Sequence, residues 1–542
     1  MKISFLGAAR TVTGSCFLLE TSKRKILIDC GMYQGQAKET ALNNESFAFN
    51  PAQIDCVLLT HAHIDHSGRI PKLYVDGFKG EIITTKATAE LCGIMLPDSG
   101  HIQEVEVEWL NKKRERADKH LIKPLYTAQD AIDCLKLFKK VKYDQEIKIG
   151  DDVRLIFRDA GHILGSAILE IWVTEDGKET KLAFTGDLGN QRIPMLREPS
   201  IIQDADYVIM ESTYGDRKHS NHGDKAEKFL DIVTETINNG GNVVIPSFAV
   251  GRTQEILYNL HKNHDLYKDK LKKLKEIPVY VDSPLAVSAT EIFEQNTDCF
   301  DEEASKIIAS GDNPLDFPEL KFTRTVDESK AINDIADNII IISASGMCEA
   351  GRIKHHLKHN LWRAECTILF VGYQAQGTLG RKILEGAKKV KIFGEEISVN
   401  ARIESIDGFS GHADQDGLLR WLGLFTKKPA KVFLVHGEAE VQDVFAQKIK
   451  ERFNLECVIP QRGEVYTISG EEVSRTENTV CEVKQTYVRL AILEYLDTLK
   501  EELEELTELL KMDLRQEKDD SEIIVLKSKL NNLEKTMVDV LK

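Results

Sequence analysis

The 542-residue chain has no basic excess: 71 Lys and Arg stand against 87 Asp and Glu, a formal net charge of −16. That excludes a protein gripping nucleic acid through whole-surface positive charge, while leaving a local basic groove open. Its ten cysteines are scattered and contain no C-x-x-C. Neither a disulfide framework nor a thiolate zinc site is therefore indicated, and buried reduced thiols are expected. No stretch reaches the ~18 consecutive apolar residues of a membrane span. The apolar runs of the first twenty residues are broken by Gly, Arg and Thr, unlike a signal peptide. With 35 Gly and 13 Pro the sequence is neither fibrous nor low in complexity. The expectation is a cytoplasmic protein with no membrane partner, long enough for two to four domains.

What is present alternates. Ile3, Phe5 and Leu6, then Cys16–Leu19 and Lys25–Asp29, read as paired strands, and Ile54–Thr60 as a short buried one. Val153–Phe157, Ala167–Val173, Lys181–Thr185 and Tyr207–Met210 are further strand-like runs, with a helical pattern over Thr127–Lys139. From about Ser212 the pattern becomes strand–helix alternation: Val243–Ser247, Pro278–Asp282, Ile339–Ser343 and Thr367–Val371 each end in small or turn residues, as in a doubly wound parallel sheet. Strand Lys431–Val435, ending in His436, then resembles the first part of the chain again. The region 212–400 is accordingly expected to be inserted into a first domain made of 1–211 and 401–466. Residues 467–542 are expected to be a helical tail. There Ile492, Leu496, Leu499, Leu503, Leu506 and Leu510 recur at alternating spacings of four and three, a seam suited to packing or to a homodimer.

The sharpest chemical signal is His61-Ala62-His63-Ile64-Asp65-His66, directly after a strand. Neutral imidazole and carboxylate are zinc's preferred non-thiolate ligands, and four such groups in six residues converge only where the backbone turns sharply. Gly68 suits such a turn. One zinc takes about four ligands, so a pair needs more groups. His162, Asp187 and His436, each at a strand end, are the candidates. His101, His120, His219, His222, His261 and His264 are read as ordinary surface or core residues, and His355, His356 and His359 as a solvated helix face. In the inserted region Arg252 opens a helix after Pro246-Ser247-Phe248, where N–H groups and a guanidinium can hold phosphate. Ser345, Gly346 and Met347, with Gly377 and Thr378, form small-residue loops able to approach a substrate, and Arg352 and Arg381 are within reach.

His61–His66, Asp29, His162 and Asp187 together resemble the four motifs of the metallo-β-lactamase superfamily. Glu211-Ser212-Thr213-Tyr214-Gly215, Ser410-Gly411-His412-Ala413-Asp414 and Val435-His436-Gly437-Glu438 resemble motifs A, B and C of its β-CASP nuclease branch. Gly251–Glu255, Ser345–Met347 and Gly372–Thr378 resemble the same branch, and the likeness spans roughly residues 1–465. The resemblance implies an α/β fold: an αββα sandwich with an inserted parallel β-CASP domain. It implies two Zn2+, with Mn2+ able to substitute. The first would be held by His61, His63 and His162, the second by Asp65, His66 and His436, with Asp187 bridging and Asp29 orienting a ligand.

By the same resemblance, a bridging hydroxide attacks phosphorus while His412 serves as general acid, kept protonated by Glu211. A histidine at the position of His436 is the RNA-cutting pattern of the branch, so the implied activity is a zinc-dependent ribonuclease on single-stranded RNA. The alternative is a hydrolase of a small ester or thioester on the same scaffold.

Overall fold

A computed structural model describes residues 1–476 apart from 36, 117–118, 192, 220–224, 265–276, 336, 373, 375–376, 407–410 and 470–471. The leucine seam and its suggested homodimer therefore lie outside the described residues, as do Cys481, His222, Ser410, Tyr373 and Ala375. Among the described residues no helix is long and apolar enough to cross a membrane.

Period-two alternation sets the first layers. In Val153–Asp159 the residues Val153, Leu155 and Phe157 are buried while Arg154, Ile156 and Arg158 are half-buried, as expected of a strand with one face on a core. Two sheets form this way. The first runs, in spatial order, Glu472–Thr476, Glu464–Ser469, Lys2–Phe5, Phe17–Glu20, Lys25–Ile28, Cys56–Leu58, Glu81–Thr85 and Phe138–Val141. The second runs Cys457–Val458, Lys431–Val435, Tyr207–Glu211, Lys178–Phe184, Ala167–Glu175, Val153–Asp159 and Glu146–Ile149. Their inner faces share one apolar core, in which Phe5, Ile28 and Leu58 meet Phe157, Phe184, Tyr207 and Phe433. Each such side chain, removed from water, contributes about 1.5–3 kcal/mol.

Helices cover both outer faces. Lys86–Arg116 and Ala128–Cys134 lie over the first sheet through Leu91, Leu96 and Ala131. Gln415–Gly423 and Ala439–Phe453 lie over the second, where Leu418, Trp421, Phe445 and Ile449 pack on Ile168, Val208 and Leu434. The result is an αββα sandwich.

The third sheet has the spatial order Leu320–Thr323, Val279–Asp282, Ile340–Ser343, Val243–Pro246, Thr367–Phe370 and Arg402–Ser405. All five of its strand pairings are parallel. Parallel strands require crossovers, and helices such as Arg252–Lys262 and Pro284–Gln295 supply them. The C-terminal strand ends, where Ser247, Ser283 and Ala344 begin their loops, gather on one edge, the usual ligand edge of such sheets.

Four expectations need correction. The helix expected over Thr127–Lys139 ends at Cys134, after a capping box between Thr127 and Asp130. Phe138–Val141 instead joins the sheet edge beside Glu81–Thr85, a pairing that outweighs local helical preference. The inserted sheet does not stop at 400, because Arg402–Ser405 pairs with Thr367–Phe370. The helical tail does not start at 467: Glu464–Ser469 pairs with Lys2–Phe5, placing Thr467 opposite Lys2, and with Glu472–Thr476. Finally, His356 is fully buried rather than solvated, because its Nε2 lies 2.6 Å from Oδ2 of the equally buried Asp282. His355 and His359 are exposed, as expected.

Candidate metal centre and active site

The six-residue histidine run leaves the buried strand Cys56–Leu58, and the chain reverses at His63, which caps the short helix Ile64–Ser67. The turn is made there and not at Gly68, whose backbone is helical. Gly68 is needed for space: a Cβ would stand 2.5 Å from the Ile64 carbonyl and 2.8 Å from the Met32 side chain. Two residues at the site hold left-handed backbones despite their side chains, Asp29 at φ 57° and His436 at φ 50°. Such strain, of order 1–3 kcal/mol each, collects at functional positions.

Side chains from strand ends far apart in sequence meet over this turn. His61 Nε2 and His162 Nε2 lie 3.5 and 3.6 Å from Asp187 Oδ2, and each imidazole is close to His63 Nδ1, at 3.2 Å in both cases. On the other side, His66 Nε2 and His436 Nε2 lie 3.3 and 3.5 Å from Asp187 Oδ1, and His436 Nε2 is 3.4 Å from Asp65 Oδ2. The donors thus fall into overlapping groups, His61–His63–His162–Asp187, Asp65–His66–His436 and Asp187–His412–His436, with one Asp187 oxygen turned toward each of the first two. Buried polar atoms are ordinarily hydrogen-bonded, yet His66 Nε2 and Asp187 Oδ1 have no hydrogen-bond partner. Orphaned imidazole and carboxylate donors facing one another at these distances are what a cation between them would satisfy.

For His61, His63 and His162 the electrostatics agree with that use. Burial holds His61 and His162 well below the ordinary histidine value and His63 at about 4, so these imidazoles are neutral, the ligating form. Burial opposes charge on His66 too, but Asp187 and Asp29 outweigh it and raise its value. Asp65 is held at about 2 and Asp187 well below the usual carboxylate range, where the histidines overcome burial.

Outer contacts fix the rings. Asp29 Oδ2 lies 2.7 Å from His66 Nδ1, and Asp29 itself accepts from the Thr60 N–H and hydroxyl at 2.8 and 2.9 Å. Thr213 Oγ1 lies 3.0 Å from His436 Nδ1. Such contacts set which nitrogen is presented inward. Beside the cluster, His412 Nδ1 is 3.2 and 3.3 Å from the two oxygens of Glu211, while its Nε2 is 3.9 Å from Asp187 Oδ2. Glu211 is fully buried and also accepts from Leu188 N–H at 2.7 Å. Burial opposes charge on His412, yet Glu211 and then Asp187 push it up to about 9.

The residues proposed for substrate lie in the inserted region, with varied surroundings. Arg252 pairs with Glu255 one helical turn on. Arg352 donates to Asp282 Oδ1 and the Arg324 carbonyl, both at 2.7 Å, and Arg381 donates to Glu385. Ser345 Oγ donates to the Ala350 carbonyl, the Met347 carbonyl accepts from Gly380 N–H, and the Gly346 carbonyl accepts from Gln374. Thr378 caps the helix Leu379–Leu384, while Gly377 stands in open space. Sequence reasoning missed the orienting roles of Thr60 and Thr213, and it placed His219 among ordinary histidines. His219 Nε2 lies 3.0 Å from the His412 carbonyl. Its only sequence signal was its place just after Glu211–Gly215.

An αββα sandwich bearing a two-group His/Asp cluster at its strand ends defines a metallo-hydrolase. Residues 9–246 match the metallo-beta-lactamase superfamily, 253–383 the Beta-Casp domain, and 396–460 the Zn-dependent metallo-hydrolase RNA specificity domain. Ribonuclease TTHA0252 of Thermus thermophilus is 38% identical over 440 residues, covering 81% of this chain and 94% of that protein. The RNase J-like protein of Methanocaldococcus jannaschii is 31% identical, covering 86% and 99%. Transcription termination factor FttA of the same organism is 31% identical, covering 85% and 70%. The chain belongs to the metallo-β-lactamase superfamily, in its β-CASP branch. The Zn-dependent family and the His/Asp cluster both fit metal binding.

Proposed function

We propose that this chain is a metal-dependent ribonuclease that hydrolyses phosphodiester bonds of single-stranded RNA. His61, His63 and His162 would hold one divalent cation and Asp65, His66 and His436 a second, with Asp187 available to both; zinc or manganese suits these donors. Such cations, when bound, lower the pKa of a water and neutralise phosphate charge. The chain's own residues do the rest. Asp29 and Thr213 present the inward nitrogens of His66 and His436. Glu211 holds His412 as the imidazolium through Nδ1, leaving Nε2–H to be donated to the departing ribose 3′-oxygen.

The observation that carries the reading is this His412–Glu211 pair beside the cluster. A thioester, whose thiolate departs without a proton, needs no imidazole kept charged by a buried carboxylate, whereas the alkoxide leaving from a phosphodiester does. The names of the ribonuclease relatives support the same choice. Domain limits of 1–211 and 401–466 for the sandwich and 212–400 for the insert are kept in outline, with the two strand corrections above. The C-terminal leucine seam, outside the described residues, is left to packing or to a homodimer.

The test is direct. With zinc or manganese, the purified protein should cut single-stranded RNA labelled at either end, and the His63→Ala variant should not. Turnover of a thioester with no metal-dependent RNA cleavage would reverse the assignment.

A further inference from the structure

Among the exposed aromatic side chains of the inserted region, Phe248 lies on the edge where the loops gather. It follows strand Val243–Pro246 and is 45% exposed. A large apolar ring left in water gives up stabilisation that burial would provide. Its backbone is nevertheless held firmly, because the Phe248 carbonyl accepts from Thr253 Oγ1 at 2.7 Å and lies 3.3 Å from Ser247 Oγ. A ring this exposed on so fixed a base is preorganised toward solvent.

One side of the ring rests on glycine. A Cβ at Gly346 would stand 3.0 Å from both Phe248 Cδ2 and Cε2, and one at Gly372 would stand 4.0 Å from Cε2. Any larger residue at 346 would lift or tilt the ring, so the glycine there leaves room for the aromatic. Three residues on, a Cβ at Gly251 would stand 3.6 Å from the Ile163 side chain, and Ile163 follows the ligand-type His162. Ala249, Val250 and Ile163 share one apolar cluster. The platform is thus anchored to the loop that carries the metal centre.

We propose that Phe248, seated on Gly346 and Gly372, is a stacking platform for one nucleobase of the RNA strand. The inference rests on the ribonuclease reading and adds a base-contacting subsite to it. An aromatic face suits single-stranded nucleic acid because every base has a π face, so such a subsite binds without demanding a sequence. It also suits an acidic protein, which needs grip that does not come from bulk positive charge.

The experiment measures binding of a short labelled single-stranded oligoribonucleotide to the full chain, together with KM and kcat for its cleavage. The substrates include a series carrying one abasic ribose at successive positions. Phe248→Leu keeps the apolar contact with Gly346 but removes the π face, and Phe248→Trp enlarges that face. The expected result is weaker binding and higher KM in Phe248→Leu by about 5–150-fold, the range a lost base–aromatic stack gives, with Phe248→Trp binding as wild type or tighter. At one position of the abasic series, wild type should weaken while Phe248→Leu should not. Equal affinity of Phe248→Leu and wild type, or an abasic penalty identical in both at every position, overturns the platform while leaving the ribonuclease reading intact. Loss of the stacking signature is thus separable from failure of that reading, which would show as RNA binding without metal-dependent cleavage by wild type.

Discussion

Replacing Glu211 by Gln tests the acid half of the chemistry with little change of shape. Glu211 is fully buried; one oxygen accepts the Leu188 N–H at 2.7 Å and both face His412 Nδ1. An amide that turns its oxygen to the Leu188 N–H sets its NH2 against the Thr213 N–H and offers His412 Nδ1 a neutral acceptor in place of a carboxylate, and loss of that negative charge favours the neutral imidazole. His412 sits at about 9, burial opposing its charge and Glu211 leading the groups that favour it. At pH 8 a group titrating there is ~90% protonated, whereas a histidine at the ordinary ~6.5 is ~3% protonated, so the variant loses up to ~30-fold of its acid form. At pH 6 both are mostly protonated and this contribution shrinks below ~1.5-fold. Cations at the cluster would pull both values down, so the variant-to-wild-type ratio across pH carries the test, not the position of either limb. The assay is single-turnover cleavage of labelled RNA between pH 6 and 8.5, with metal content measured in parallel. Cleavage at the wild-type rate throughout this range, or loss of metal from the variant, would refute the role given to Glu211.

Three further outcomes follow from the same geometry. Asp187→Ala should lose both cations and cleavage together; two equivalents of metal retained by elemental analysis would remove Asp187 from between the groups. Thr213→Val deletes the contact with His436 Nδ1 and should weaken metal binding by about 10–100-fold in chelator competition, and an unchanged affinity would show that the ring is oriented by something else. Asp282 tests stability rather than catalysis. Burial alone would raise its value, but His356, Ser329, Thr323 and Arg352 hold it well below the usual carboxylate range. The unfolded chain therefore takes up this proton first, so the stabilisation is present above about pH 4 and is lost as pH falls toward the folded value. Wild type should show a thermal midpoint that drops below pH 4. Asp282→Asn should start lower, by about 3–5 kcal/mol for a broken buried pair, and depend less on acid. Parallel pH profiles for the two proteins would contradict this.

How far each feature could be read from the sequence follows from where its cause lies. The ligand-type residues were legible because coordination restricts the choice to a few side chains, and four of them fall within one turn of backbone between His61 and His66. The sandwich strands were legible because alternation such as that of Val153–Asp159 is a local property. Strand membership at the domain joints was not. Arg402-Ile403-Glu404-Ser405 has a single apolar residue, and it becomes a strand only because Thr367–Phe370 offers an unpaired edge. Glu464–Ser469 likewise becomes one beside the chain's first strand.

Individual side chains obey the same rule. His356 looks like its exposed neighbour His355 in sequence, and the partners that let it be buried, Asp282 and Asn333, lie 74 and 23 residues away. Thr213 is an ordinary hydroxyl until His436, 223 residues on, arrives beside it. Chemistry written into residue type survives translation into one dimension, whereas a role conferred by a distant partner does not. That is why Phe248, whose meaning depends on two glycines about a hundred residues later, is the residue whose substitution would say most about how this enzyme holds its substrate.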